Sequence, residues 1–112
     1  MKIQYYYSRS GTNIIEKYID GLTHAEQINA NEVLRQLRDE KTDALTIKQW
    51  QGKIKEVYFY KHNRIFYVIA DADNIYLLHA CRKQKDKTEK RDCKVIISRA
   101  KELSQELGKK FI

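Results

Sequence analysis

Three strand-like runs separated by short turns constrain the fold of this chain more than any other feature. They cover residues 54–60, 64–70 and 75–81 and are rich in aromatic and β-branched residues. The first run alternates, with Glu56 and Tyr58 on one face, whereas the second is almost wholly apolar, as expected of a central strand. Because short turns join antiparallel neighbours, the pattern predicts an antiparallel meander.

The rest of the chain supplies one further strand and three helices. Residues 2–7 (KIQYYY) have a strand pattern, and residues 40–53 show no clean periodicity. Asn13 and Thr23 are each followed by a glutamate three residues later, which is the spacing of a helix cap, and then by apolar residues at helical spacing. A last amphipathic helix begins near position 88 or later and ends at about Gly108.

These elements predict one α+β domain over residues 1–112, in the order β-α-α-β-β-β-α. We expect an antiparallel β-sheet with the N-terminal helical hairpin and the C-terminal helix packed on one face. Residues 40–53 are assigned no element, and Trp50 is expected to anchor them to the core. The second face of the sheet is then free and is the expected place for a site.

The positive charge of the chain is confined to its second part. Residues 1–47 carry six Lys/Arg and seven Asp/Glu, whereas residues 48–112 carry sixteen and eight, and the whole chain has a net charge of +7. Such an asymmetry favours an acidic partner: a nucleic acid first, an acidic protein next and a membrane surface last.

The composition also predicts a compartment and argues against a metal centre. No apolar run is long enough to span a bilayer, and the N-terminus lacks the pattern of a signal peptide, so we expect a cytoplasmic protein without a membrane partner. Cys81 and Cys93 match no metal or redox motif and are expected to be free thiols, with a disulfide between them as the alternative. The three histidines form no ligand pattern, and we expect neither a metal nor another cofactor.

A basic segment follows the third strand of the meander and indicates where an anion could bind. Arg64 opens the central strand and can converge with Glu56 and Tyr58 at one end of the sheet, where Lys83 enters from the neighbouring strand. Alternatively, Arg64 forms a cross-strand ion pair with Glu56. His62, in the turn before Arg64, is a candidate for proton transfer, although a histidine in a turn is more often exposed and idle.

Such a set of side chains can cut RNA without a metal. A base removes the proton from the 2′-hydroxyl, cations stabilise charge on the phosphoryl oxygens, and an acid protonates the leaving 5′-oxygen. Our catalytic candidates are Arg64, Lys83, Lys85, Tyr58 and His62. Our candidates for binding the nucleic acid are Lys55, Arg82, Lys87, Lys90 and Arg91.

The order of three motifs resembles the RelE/ParE superfamily of type II toxins, and most closely its HigB-like, phage-derived branch. The motifs are residues 50–58 (WQGKIKEVY), 63–67 (NRIFY) and 77–88 (LLHACRKQKDKT). The resemblance implies a metal-independent, ribosome-dependent mRNA endonuclease that is neutralised by a cognate antitoxin, often a helix-turn-helix protein.

The resemblance also assigns residues. It implies that Arg64 contacts the scissile phosphate region, that Lys83 and Lys85 are the basic pair, and that Glu56 is the family's glutamate. The chain departs from the pattern at Tyr58, where the family has an arginine. It departs again at Cys81 and Glu89, where the family has a phenylalanine and a proline.

Two other functions remain open at the level of sequence. ParE relatives share the expected fold but inhibit DNA gyrase and do not cut RNA. A basic module that binds RNA or the ribosome without catalysis would also explain cations interleaved with aromatic residues.

Overall fold

Five strands and three helices form the protein in the computed structural model, which describes residues 1–83 and 88–112. The α+β class is confirmed, and the element order is β-α-α-β-β-β-β-α. The elements are β1 (Lys2–Tyr5), α1 (Ile14–Asp20), α2 (His24–Arg38), β2 (Thr46–Gln51), β3 (Ile54–Phe59), β4 (Asn63–Ile69), β5 (Asn74–Arg82) and α3 (Lys90–Leu107).

The helix boundaries follow the local capping signals. The side chain of Asn13 accepts a hydrogen bond from the backbone N–H of Glu16, and Thr23 and Glu26 form a reciprocal capping box. At the end of α3, Gly108 adopts the left-handed conformation with φ 63°, which glycine reaches without steric cost. These predicted starts and stops are confirmed.

The strand order across the sheet is β1-β5-β4-β3-β2. The meander of β3, β4 and β5 is antiparallel, as predicted, but β1 lies parallel to β5, with Lys2 opposite Asn74. The sheet is therefore mixed, and the prediction of a purely antiparallel sheet is wrong. The chain between β1 and β5 contains two helices and three strands, so no short turn fixes the relative direction of these two strands.

The strand β2 was not predicted at all. It runs antiparallel to β3 at the edge of the sheet, and its register is shifted between Gln49 and Gln51. Only Ile47 and Trp50 of its side chains are partly buried, because an edge strand has one neighbour and little cover. Its polar sequence, TIKQWQ, therefore lacks the alternation that reveals a half-buried strand.

Helices cover both faces of the sheet, and the prediction that all helices lie on one face is wrong. Alternate residues of β4 belong to two separate cores: Ile65 and Tyr67 pack with α1 and α2, whereas Phe66 and Val68 pack with α3. The near-continuous apolar sequence of β4 is explained by this double burial. Among the described residues, no helix combines the length and apolar character that crossing a bilayer requires.

Candidate nucleic-acid site

Arg64, Glu56 and Tyr58 meet on the face of the sheet that carries α3. Arg64 pairs in register with Tyr58, and its Nη1 lies 3.3 Å from Oε2 of Glu56. The Tyr58 hydroxyl donates to Oε1 of Glu56 at 3.0 Å, and the guanidinium carbon of Arg64 lies 4.1 Å from the centroid of the Tyr58 ring. The predicted convergence of the three side chains is present, and so is the cross-strand ion pair that was its alternative.

The guanidinium of Arg64 is only partly paired. The side chain is 7% exposed, and its Nε is a buried donor that finds no hydrogen-bond acceptor within residues 1–83 and 88–112. Buried donors are almost always paired, because an unpaired one loses its hydrogen bonds to water without compensation. One edge of the guanidinium therefore binds Glu56, and another is available to an acceptor from outside the chain.

Lys83 follows β5 and brings a second cation to the same end of the sheet. It is 5% exposed, its backbone N–H donates to the carbonyl oxygen of His62, and its Nζ lies 3.4 Å from the Thr88 hydroxyl. Because Cys81 lies opposite Arg64 on β4, Lys83 is two residues beyond the partner of Arg64. The two cations therefore belong to one cluster.

The thiol of Cys81 lies among the charged groups of this cluster. Burial raises the pKa of Cys81 to about 12. The charges of Asp92 and Glu56 also raise this pKa, and those of Arg64 and Lys83 lower it, so all four groups lie close enough to act on the sulfur. The thiol is protonated at neutral pH and serves as a packing group, not as a nucleophile.

His79 connects β5 to the first and third turns of α3. Its Nε2 lies 2.8 Å from Oδ1 of Asp92, and its Nδ1 lies 3.1 Å from Nη1 of Arg99. Since an arginine only donates, Nδ1 must accept, and the ring proton lies on Nε2 and is donated to Asp92. Burial lowers the pKa of His79; the hydrogen bond to Asp92 opposes that effect and the charge of Arg99 adds to it. The ring is thus a neutral link between strand and helix.

The ligand atoms of His79, Cys81 and Asp92 also lie within 4.8 Å of one another, which is close to the geometry of a metal site. The surrounding hydrogen bonds do not suit a metal. A metal held between His79 and Asp92 would displace the proton from Nε2, and the neutral ring would then carry it on Nδ1, facing a donor group of Arg99. The arrangement fits a hydrogen-bonded network better than a metal centre.

The other predicted residues are distributed around the molecule. His62 is exposed in the turn between β3 and β4, at the same end of the sheet as Lys83. Lys55 lies on the opposite face of the sheet, beside Tyr67, and Arg82 forms an ion pair of 2.5 Å with Glu26, which belongs to α2. The structure therefore places neither of these two binding candidates in the Arg64 cluster, and neither belongs to the site proposed below. Lys90 and Arg91 are exposed at the start of α3, and Lys85 and Lys87 lie outside the described residues.

The expectation of a bare sheet surface displaying its cations is wrong. Because α3 packs on this face, Arg64 and Lys83 are nearly inaccessible to solvent. Of Arg64, Glu56 and Tyr58, only Tyr58 is partly exposed. Burial of this kind depends on which face the last helix covers, and sequence periodicity does not decide that.

Sequence reasoning missed four residues that the structure adds to this end of the molecule. None of His79, Asp92 and Arg99 was among the candidate site residues. The fourth, Lys48, lies in the unpredicted strand β2 and has its Nζ 5.1 Å from the centroid of the Tyr58 ring. A strand assignment for residues 46–51 would have placed Lys48 on the same face as Glu56, its partner in β3.

Comparison with known proteins identifies the family. The family described as "Phage derived protein Gp49-like (DUF891)" matches residues 17–101, which is most of the chain. The chain belongs to this Gp49-like family. It is a toxin-like family related to the RelE/ParE toxins, and membership implies a cognate antitoxin as partner. No curated protein matches the chain.

Proposed function

We propose that this Gp49-like protein is the toxin of a type II toxin–antitoxin system and cuts messenger RNA on the ribosome, as HigB-like toxins do. One observation carries the proposal: the buried guanidinium of Arg64 has an Nε without a partner in the described part of the chain, and a second buried cation, Lys83, belongs to the same cluster. Cations that are preorganised in a low-dielectric site stabilise developing negative charge far better than cations in water. The phosphoryl oxygens of RNA are ligands of the required charge and geometry.

The proposed reaction needs no electron transfer and no metal. A base takes the proton of the 2′-hydroxyl, the 2′-oxygen bonds to the adjacent phosphorus, and the bond from phosphorus to the 5′-oxygen breaks as an acid protonates that oxygen. Arg64 and Lys83 stabilise the phosphoryl oxygens. Glu56 is a proton acceptor beside the same guanidinium, and His62 is an exposed one at the nearby turn.

Access to Arg64 requires one side chain to move. The Tyr58 ring stacks on the guanidinium and is itself partly exposed, so it is the group that an incoming phosphate meets first. Rotation of Tyr58 uncovers the face of the guanidinium on which the ring stacks, while Glu56 continues to hold Nη1. In this proposal the ion pair with Glu56 orients the guanidinium and does not compete with the substrate.

A second candidate function is a toxin that inhibits DNA gyrase without cutting RNA, as ParE relatives do. The near-complete burial of Arg64 and Lys83 favours it, because a binding surface needs no internal cations. The two functions differ in what they damage: the first leaves cuts in translated messages, and the second leaves broken DNA and an SOS response.

The decisive experiment is controlled expression of the chain in bacteria, with the antitoxin absent, followed by mapping of transcript ends. We expect growth arrest together with new ends inside translated messages, and no SOS response. Growth arrest with intact messages and an SOS response would replace the first function with the second. Normal growth at high expression would exclude both toxin functions.

A further inference from the structure

We propose that Lys48 is a further phosphate-binding residue of this site, beside Arg64 and Lys83, and that Tyr58 is a base-stacking surface between Lys48 and Arg64. The ligand is single-stranded RNA, so the inference rests on the proposed function and extends it. Lys48 lies in the edge strand β2, and the sequence alone gave no reason to place it near Arg64.

The three side chains form a row across three strands. Tyr58 lies opposite Arg64 on one side and opposite Thr46 on the other, and Lys48 lies two residues beyond Thr46. The guanidinium carbon of Arg64 is 4.1 Å from the centroid of the Tyr58 ring, and Nζ of Lys48 is 5.1 Å from the same centroid. One aromatic ring therefore contacts a buried cation and an exposed one.

The row leads from solvent to the interior. Lys48 is exposed, Tyr58 is partly exposed, and Arg64 is buried. Neighbouring strands lie about 4.8 Å apart, so the backbones that carry Lys48 and Arg64 are separated by about 10 Å. An extended nucleotide strand that crosses the edge of the sheet would meet Lys48 first and would place its next phosphates towards Arg64.

A second aromatic ring and a second exposed cation follow Tyr58 in the chain. Tyr60 and Lys61 come directly after β3, and both are exposed. The Nζ of Lys61 lies 5.6 Å from the centroid of the Tyr60 ring, so a second pairing of cation and aromatic ring flanks the first. Aromatic faces interleaved with cations are the means by which proteins hold single-stranded nucleic acid without reading its sequence.

Lys55 provides a matched control. Lys55 belongs to the neighbouring strand β3, where it lies opposite Gln49, the residue after Lys48. Its side chain lies on the other face of the sheet, beside Tyr67. Replacing either lysine with alanine removes one positive charge from almost the same place in the chain. The two variants differ in which face of the sheet loses the charge.

The test is equilibrium binding of a 2′-O-methyl RNA oligonucleotide, which has no free 2′-hydroxyl and cannot be cut by the proposed reaction. We would measure the affinity of the wild type, Lys48→Ala, Lys48→Arg and Lys55→Ala over a series of salt concentrations. Each phosphate contact with a single strand contributes about 0.7 to the slope of log affinity against log salt. We expect Lys48→Ala to lower the slope by about that amount, and Lys48→Arg and Lys55→Ala to keep it.

The outcomes separate the inference from the proposed function. If Lys48→Ala keeps the wild-type slope, or if Lys55→Ala lowers it equally, Lys48 has no specific phosphate contact and the inference is overturned. The proposed function would survive that failure of the Lys48 inference if Arg64→Lys weakens RNA binding in the same assay. If the wild-type protein shows no salt-dependent binding of RNA, both proposals fail.

Discussion

Arg64 shows how far a single residue can be interpreted from the sequence. The sequence predicted that Arg64 converges with Glu56 and Tyr58 of the neighbouring strand, and the structure brings the three side chains together. Its burial was not predictable, because it results from contacts with a helix nearly thirty residues later in the chain. A buried ion pair with one unpaired donor is costly to maintain, which is why we interpret it as a site.

The reactivity of the Cys81 thiol tests whether this side chain is buried beside Arg64. Because burial raises its pKa to about 12, very little thiolate is present at pH 8, and alkylation should be slow. We expect iodoacetamide to modify the partly exposed Cys93 at least about tenfold faster than Cys81 in the folded protein. Mass spectrometry of the two peptides measures the rates, and unfolding in denaturant should make them similar. Equal rates in the folded protein would contradict the burial of Cys81.

At the scale of elements, the contacts between β5 and α3 shape the site. The sequence located both elements well, because turn residues precede β5 and α3 has a continuous apolar face and a C-terminal glycine. It did not predict that they are joined by His79, Asp92 and Arg99, since side chains distant in sequence meet only when α3 crosses this face of the sheet.

The His79 link makes stability depend on pH. Its pKa is lowered in the folded protein, whereas the unfolded chain titrates near the ordinary value of about 6.5. The unfolded state therefore binds more protons just below pH 6.5, so His79 favours folding above that pH and its contribution is lost as the pH falls. We expect denaturation curves to show a larger loss of stability between pH 7.5 and 5.5 for the wild type than for His79→Gln.

The control for this prediction is His62→Gln, because His62 is an exposed histidine in a turn. That variant should keep the wild-type pH dependence. If His79→Gln and the wild type lose the same stability over this range, the neutral, buried state assigned to His79 is wrong.

At the scale of the whole molecule, a mixed sheet lies between a pair of helices and a third helix. The α+β class and the meander were predictable from local pattern, whereas the parallel β1 and the two-sided cover required contacts between distant parts of the chain. The C-terminus adds another such contact: Phe111 is buried in the α3 core, and its carbonyl oxygen accepts a hydrogen bond from the backbone N–H of Lys53.

Gly52 tests this attachment of the C-terminus. It has a positive φ of 53°, and a Cβ at this position would collide with the carbonyl oxygen of Phe111. Gly11 also has a positive φ, 84°, but its Cβ would meet open space. Both alanine variants should suffer backbone strain of about 1–3 kcal/mol. We expect Gly52→Ala to lose at least about 1 kcal/mol more than Gly11→Ala in chemical denaturation, because of the added collision. Equal losses would mean that the C-terminus is not held against this turn.

In the proposed function, RNA is bound and cut on the α3 face of the sheet, at Arg64. Arg82 is the matched control, because it is also an arginine paired with a buried glutamate, but it contacts Glu26 of α2 on the other face. Lysine at either position keeps the charge and loses the fork of donors. The most direct measurement is the rate of cutting of a translated message by Arg64→Lys and by Arg82→Lys, with folding checked by circular dichroism. We expect a loss of at least about 100-fold for Arg64→Lys and a rate near that of the wild type for Arg82→Lys. Wild-type cutting by a folded Arg64→Lys variant would contradict the account.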